Sequence, residues 1–154
     1  MTDPAPGWRA FTTSVLQTVV PADWTDVDDP RAIAAVAAPV GPGFRPNAVV
    51  TTQPFDGSIS LLSRLLLASL PTLPGRAYAL ACDPLDVGGV PGRRLQWVHD
   101  RGADALHVTV FAFATGTDRI ELTVSQSLDA AVANTEALGV IAGSLRVGVS
   151  EAVR

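Results

Sequence analysis

The side chains best suited to chemistry in this sequence are two histidines, His99 and His107, which flank a predicted hairpin. Two imidazoles and a carboxylate from Asp100 or Asp104 are ligands that zinc accepts. A catalytic zinc usually needs three well-placed protein ligands, and histidines on adjacent strands beside a tryptophan are commonly packed side chains. We therefore predict that the chain has no metal site.

The single cysteine, Cys82, is a second candidate for chemistry. As a nucleophile it would need a neighbouring histidine to lower its pKa. The stretch Ala79–Cys82 reads as a buried strand, in which an unpaired cysteine behaves as a small apolar side chain. One cysteine also leaves no internal disulfide, so nothing in the sequence requires an oxidising compartment.

Three aspartates, Asp26, Asp28 and Asp29, have a spacing that superficially resembles a calcium-binding loop. Such a loop also needs a glycine at its sharp turn and a distal bidentate glutamate, and the sequence has neither in place. We predict that the segment from Asp26 to Pro30 is a solvated acidic loop.

Four common catalytic and nucleotide-binding signatures are missing from the sequence. It contains no Gly-x-Ser-x-Gly elbow, no phosphate-binding glycine-rich loop, no dinucleotide fingerprint and no His-Glu-x-x-His motif. The glycine-rich segment Gly88–Gly92 lacks the Lys and Ser that hold phosphate, and it precedes a strand. We therefore predict a protein without a cofactor that is not an enzyme.

Composition narrows the class of protein further. The chain has 154 residues, 47% of them apolar and 17% charged, which indicates one domain with a packed core. Its net charge is −4, so nucleic-acid binding is not expected. The apolar run from Leu61 to Leu70 is too short to span a bilayer, so we expect no integral membrane insertion. All eleven basic residues are arginine, which is typical of a GC-rich, actinobacterium-like genome.

The first half of the chain alternates apolar segments with turn residues. We predict a loose arm over residues 1–10 and strands over 13–20, 47–53 and 76–82, and loops over 39–46 and 83–92. Residues 32–38 are ambiguous, because their alanines favour a helix and their flanking prolines favour a strand. A helix over 59–70 follows the short polar segment Asp56–Ser58 and ends at Pro71.

The second half predicts three consecutive antiparallel strands. A tight loop at Asp100–Asp104 predicts one register, in which His99 faces Ala105, Trp97 faces His107 and Leu95 faces Thr109. A second loop at Thr115–Asp118 predicts the next register, in which Phe113 faces Ile120, Phe111 faces Leu122 and Thr109 faces Val124. Because side chains alternate with a period of two, both registers gather the same large apolar set on one face: Leu95, Trp97, Phe111, Phe113, Ile120, Leu122 and Val124. A helix over 129–145, capped by Ser127, should cover this face.

Two short motifs suggest a family. A predicted strand leads directly into a Pro-x-x-Trp corner, Val20-Pro21-Ala22-Asp23-Trp24. Further along, the turn Phe44-Arg45-Pro46-Asn47 leads into the strand Ala48–Thr52. With the later meander and the final helix, this pattern resembles the Mog1/PsbP-like superfamily, and within it the LpqN/LpqT-like and DUF1795 bacterial groups.

The resemblance implies an α+β fold, an α/β/α sandwich in which a twisted antiparallel sheet of about six or seven strands has helices packed on both faces. It favours a strand over residues 32–38. The expected organisation is a flexible arm over 1–10, one domain over 11–149 and a tail over 150–154. Members of the superfamily have several different roles, so the fold does not settle the function.

The N-terminal residues bear on location. Many LpqN-type proteins are secreted lipoproteins, but the segment Met1–Gly7 has no positive region, no apolar region and no lipobox cysteine. We expect a cytoplasmic protein.

The helix over 59–70 carries more apolar residues than one buried stripe needs. Its inward stripe is predicted to be Ile59, Leu62, Leu65, Leu66 and Leu70. Leu61 and Leu67 flank that stripe and, with Arg64, form a candidate interaction surface unless the loop 83–92 or the N-terminal arm covers them. This surface predicts a non-enzymatic protein-binding or accessory module whose partner is an unknown protein or a second copy of the chain.

The alternative prediction is a domain that binds a small apolar ligand or lipid. In this interpretation a pocket between sheet and helix is lined by Trp97, Phe111 and Phe113.

Overall fold

The computed structural model describes residues 3–148. In chain order its elements are β1 (Trp8–Thr12), β2 (Leu16–Pro21), β3 (Thr25–Val27), β4 (Ala34–Ala37), β5 (Asn47–Pro54), α1 (Ile59–Ser69), β6 (Arg76–Val87), β7 (Val90–Asp100), β8 (Ala105–Ala114), β9 (Asp118–Ser127), α2 (Leu128–Ala133), α3 (Thr135–Ser144) and β10 (Arg146–Val147). A short 3-10 turn, Leu70–Thr72, follows α1.

The strands form two antiparallel sheets. The large sheet has seven strands in the order β3-β4-β5-β9-β8-β7-β6, and the small one has three in the order β1-β2-β10. Helix α1 packs on β7 and β8, and α3 packs on β2. The predicted α+β sandwich with one large antiparallel sheet and helices on both faces is confirmed, and the small sheet is an addition that the sequence did not predict.

Two cores lie on opposite faces of the large sheet. The first core, between the large sheet, the small sheet and α3, is built mainly of Phe11, Leu16, Val20, Val36, Val50, Phe111, Phe113, Ile120, Leu122, Val124, Ile141 and Leu145. The second core, under α1, contains Leu62, Leu95, Leu106, Val108, Val110, Ala112 and Ala114. Strand β8 supplies side chains to both cores, so it is the central buried strand.

The predicted register between β8 and β9 is confirmed. Phe113 pairs with Ile120 and Phe111 with Leu122. The connecting turn is held by the Asp118 backbone N–H, which donates to Oγ1 of Thr115 at 3.1 Å, and by Gly116, whose φ is 99°. A positive φ favours glycine, so the local sequence specifies this turn and with it the register.

The predicted register between β7 and β8 is wrong by one residue. Trp97 faces Val108 rather than His107, and Leu95 faces Val110 rather than Thr109. The loop is shorter than predicted, because Asp100 and Ala105 are already paired. The slip puts Trp97 and Leu95 on the α1 face and leaves Phe111 on the other face.

Three predicted loop segments contain strands. Residues 8–10 belong to β1, so the loose arm is not correct there. Asp26 lies in β3 within the predicted acidic loop. Most of residues 83–92 form the β6–β7 hairpin around Gly88 and Gly89, which have φ of 61° and 85°, as a two-residue hairpin turn requires. Pro84 is tolerated because β6 is an edge strand.

The helices agree with the sequence at their starts. Ser58 Oγ accepts a hydrogen bond from the Leu61 N–H at 3.2 Å, and Ser127 Oγ accepts one from the Ala130 N–H at 3.1 Å. The single helix predicted over 129–145 is instead two helices that meet at Asn134. Residues 32–38 contain β4, as the resemblance implied. The domain boundaries of 11–149 stay a prediction, and the tail at 150–154 lies outside the described residues.

Candidate binding sites

The exposed face of α1 differs from the predicted one by two residues. Leu61 and Leu65, one helical turn apart, are 44% and 47% exposed, and Arg64 is exposed beside them. Leu67 is half-buried against the second core, whereas Leu65 was predicted to point inward. We call Leu61, Arg64 and Leu65 the α1 patch.

Neither element proposed to cover this helix lies over the α1 patch. The β6–β7 hairpin packs Leu85 and Val87 on the first core, and the N-terminal strand β1 contributes Phe11 to that same core. The first core is on the face of the large sheet opposite α1. The α1 patch is therefore exposed in the described part of the chain.

The predicted aromatic pocket is wrong. Trp97 packs at the second core, while Phe111 and Phe113 are fully buried in the first core on the other face of the sheet. The three side chains cannot line one pocket, because the central sheet separates them.

A different cavity lies between the large sheet and α3. Its volume is about 270 Å³, and its apolar lining includes Pro21, Trp24, Pro46, Val124, Leu138 and Ile141. The two sequence motifs that suggested the family therefore meet at one place, because the Pro-x-x-Trp corner and the Phe-x-Pro-Asn turn each supply part of this lining. Neither motif by itself indicated a cavity.

The cavity wall is held by backbone hydrogen bonds. The Trp24 N–H donates to the Pro21 carbonyl at 3.0 Å, which closes the corner after β2. The Ala38 N–H donates to the Pro46 carbonyl at 2.9 Å, which fixes the turn before β5. Arg9 Nε donates to the Trp24 carbonyl at 2.7 Å and its Nη2 to Asp26 at 2.9 Å. The small sheet thus anchors the corner that carries Trp24.

The polar groups of the cavity are few. Gln126 is only 6% exposed and lies in the wall formed by β9. The fully enclosed side-chain atoms that lack a hydrogen-bond partner in the described chain belong to Trp97, His107 and Glu121, and Gln126 is not among them. Asp23 and Asn134 also line the cavity and are exposed, which places them at its mouth. The cavity is therefore an apolar space with one buried amide and one carboxylate at the entrance.

The residues first considered for chemistry are separated in space. His99 and His107 lie on opposite faces of the sheet, because the β7–β8 register differs from the predicted one. Cys82 is exposed on the edge strand β6 rather than buried. Among the described residues, no three His, Cys, Asp or Glu side chains are arranged to hold a metal ion.

Two of the three aspartates of the predicted acidic loop pair with arginines. Asp26 pairs with Arg9, and Asp29 pairs with Arg31 at 3.2 Å. The hydrogen bond from Arg31 lowers the pKa of the Asp29 carboxyl. These pairs are on the surface and do not form a shared site.

Two titratable groups are half-buried, and the sequence predicted a shifted pKa for neither of them. Burial raises the pKa of Glu121, although Arg119 opposes the shift with its Nε 3.5 Å from the carboxylate. Burial lowers the pKa of His107, whose Nδ1 has no hydrogen-bond partner in the described chain. The signal in the sequence that could have indicated them is that each is an ionisable residue in the interior of a long predicted strand.

Within the described residues, no helix has the length and apolar character that a membrane crossing demands.

No family model and no curated protein matches this sequence. Solved structures identify the fold as the Mog1/PsbP-like fold, as the two motifs indicated. The chain is similar to LpqN of Mycobacterium tuberculosis, a protein involved in cell-envelope biogenesis, with a TM-score of 0.66 and 17% identity over 86% of this chain and 82% of that one.

It is similar to the cyanobacterial PsbP of Synechocystis sp., with a TM-score of 0.67 and 11% identity over 94% and 95% of the two chains. A protein of unknown function from Pseudomonas aeruginosa gives a TM-score of 0.58 and 14% identity over 86% and 91%. At such low identities the similarity establishes the fold only, and the function has to be inferred from the candidate sites.

Proposed function

We propose that this protein is a non-catalytic accessory module that binds a protein partner through the α1 patch. The observation that carries the proposal is the exposed pair Leu61 and Leu65 on the outer side of a helix whose inner side already fills the second core. Contiguous exposed apolar surface marks protein interfaces, and these two leucines are neighbours on the helix surface. The similarity of this fold to LpqN and PsbP is consistent with an accessory role for this protein.

The chemistry of the α1 patch suggests the partner. Two leucines one turn apart fit an apolar hollow, and Arg64 between them can form a forked contact with a carboxylate at the rim of that hollow. The proposal that the module is not an enzyme is supported by the separation of Cys82, His99 and His107 in the described fold.

The first experiment is light scattering coupled to size exclusion, which tests whether a second copy occupies the α1 patch. A dimer that becomes monomeric in the Leu61→Ser/Leu65→Ser variant would assign the patch to self-association and overturn the proposal of a different partner. A monomer leaves the patch free for a partner, and the variants below then test that partner.

The partner test uses three baits in extracts of the native host: the wild type, Leu61→Ser/Leu65→Ser and the matched control Val132→Ser. Val132 is an apolar side chain on α2 that is 76% exposed. A partner of the α1 patch binds the wild type and the control but not the double variant, and it must do so again after purification. Equal binding to all three baits would contradict the proposal.

A second candidate function is the binding of a small molecule in the cavity beside α3. The observation that favours it is the lining, which is mainly apolar and includes Gln126, a polar residue that is only 6% exposed. Small-molecule sites are typically concave and apolar, with a few polar groups that orient the ligand.

A further inference from the structure

We propose that the cavity beside α3 binds a small organic cation that carries an apolar body and a second hydrogen-bonding group. This inference rests on the second candidate function above and names its ligand class. Asp23 would receive the cationic group at the mouth, and Gln126 would meet the second polar group inside.

The size of the cavity limits the ligand. A volume of about 270 Å³ corresponds to roughly nine water molecules at about 30 Å³ each. A ligand with a short aliphatic body of a few carbon atoms fits this space, and a long acyl chain does not. The apolar side chains of Trp24, Leu138 and Ile141 make burial of such a body favourable.

The sign of the ligand charge follows from the lining. Asp23 is the only ionisable side chain among the described residues that line the cavity, and it is exposed at the entrance. Two arginines contact the wall without belonging to the lining: Arg9 donates to the Trp24 carbonyl and to Asp26, and Arg45 donates to the Ala38 carbonyl. A carboxylate with no compensating cation in the lining favours an ammonium group and disfavours an anion.

The second polar group of the ligand follows from Gln126. Its amide has two donors and an acceptor, and the residue is nine-tenths buried in the cavity wall. A purely aliphatic tail would leave this amide unpaired, which costs affinity. A hydroxyl or carbonyl on the ligand would pair with it.

Four probes of similar length separate these two requirements. 6-Aminohexan-1-ol has both polar groups, hexylamine lacks the hydroxyl, 1,6-hexanediol lacks the charge, and 6-hydroxyhexanoate has the opposite charge. Binding to the wild-type protein is measured by calorimetry at low salt, and the site is located from amide chemical-shift changes. We expect 6-aminohexan-1-ol to bind most tightly and 6-hydroxyhexanoate most weakly.

Two substitutions identify the contacts. Asp23→Asn should weaken 6-aminohexan-1-ol about two- to fivefold, the range for an exposed ion pair, and should leave 1,6-hexanediol unchanged. Gln126→Met should weaken 6-aminohexan-1-ol by up to about tenfold and leave hexylamine unchanged. Asp104→Asn, an exposed aspartate in the β7–β8 loop, is the control for charge alone and should change nothing.

The outcomes distinguish this inference from the function on which it rests. If 1,6-hexanediol or 6-hydroxyhexanoate binds the cavity as tightly as 6-aminohexan-1-ol, the cavity remains a ligand site and the cation is wrong. If no probe shifts the amides of Trp24, Gln126 and Leu138, both the ligand class and the second candidate function are overturned. Asp23 is exposed, so its variant remains informative even if Gln126→Met fails to fold.

Discussion

Arg9 on β1 reaches the backbone of Trp24, with 2.7 Å between its Nε and the Trp24 carbonyl oxygen. The same guanidinium contacts Asp26 on β3, at the edge of the large sheet. One side chain therefore joins the two sheets at the corner that forms part of the cavity wall. A charged donor on a backbone acceptor is among the stronger hydrogen bonds in proteins.

Replacing Arg9 should weaken the fold at this corner. We expect Arg9→Met to lower the free energy of unfolding by about 1 kcal/mol, because a carbonyl loses its charged donor. Arg31→Met is the matched control, since Arg31 is 88% exposed and its pair with Asp29 is on the surface. Denaturant unfolding measures both, and equal effects would contradict a special role for Arg9.

The α1 patch should be separable from the stability of the fold. We expect Leu61→Ser/Leu65→Ser to lower the free energy of unfolding by about 1–3 kcal/mol in total and to leave unfolding cooperative, because nearly half of each side chain is already in solvent and serine is a poorer helix former than leucine. Leu62→Ala, at a fully buried position of the same helix, should cost about 2–5 kcal/mol. A loss of cooperative unfolding in the double variant would show that the patch belongs to the core.

His107 should make the protein less stable in mild acid. Burial lowers its folded-state pKa below the ordinary value of about 6.5. Below about pH 6.5 the unfolded chain takes up a proton that the folded chain does not, so stability falls as the pH falls.

The measurement is thermal unfolding from pH 8 to pH 5 for the wild type and His107→Gln. The difference between the two melting temperatures should be constant above about pH 7 and should shift in favour of the variant below pH 6.5. Parallel curves over the whole range would show that His107 does not contribute.

Glu121 should have the opposite dependence on pH. Burial raises its folded-state pKa, so above about pH 4.3 the unfolded chain loses a proton that the folded chain still holds. Its unfavourable effect therefore grows as the pH rises through the folded-state pKa and is complete above it. We expect Glu121→Gln to raise the melting temperature at pH 7, with the gain disappearing below about pH 4.

Glu136→Gln serves as the control for Glu121, because Glu136 is exposed in the first turn of α3 and its carboxylate should not be destabilising there. A gain for Glu121→Gln that is the same at pH 7 and pH 4 would have to come from packing rather than from ionisation.

Local sequence predicted the register of one pair of neighbouring strands and not that of the other. Thr115 and Gly116 specify the β8–β9 turn, and the pairing of Phe111 with Leu122 follows from it. The β7–β8 loop has no comparably restrictive pattern, so its length was predicted one residue too long. Because side chains alternate across a strand, that single residue moved Trp97 to the other face and removed the predicted pocket.

The sequence by itself determined the elements that depend on near neighbours: the capped start of α1 at Ser58, the cap at Ser127, and strand β5 after Pro46. Capping and turn preferences act over a few residues, so they can be recognised without the fold.

Only the tertiary structure decided which parts of these elements are covered. The wide apolar arc of α1 permitted several orientations, and packing on β7 and β8 left Leu65 outside and Leu67 half-buried. The cavity likewise needs Trp24, Pro46 and Leu138, which are distant in sequence and meet only when α3 and both sheets are assembled. Periodicity indicates which side chains share a face, whereas burial depends on what packs against that face.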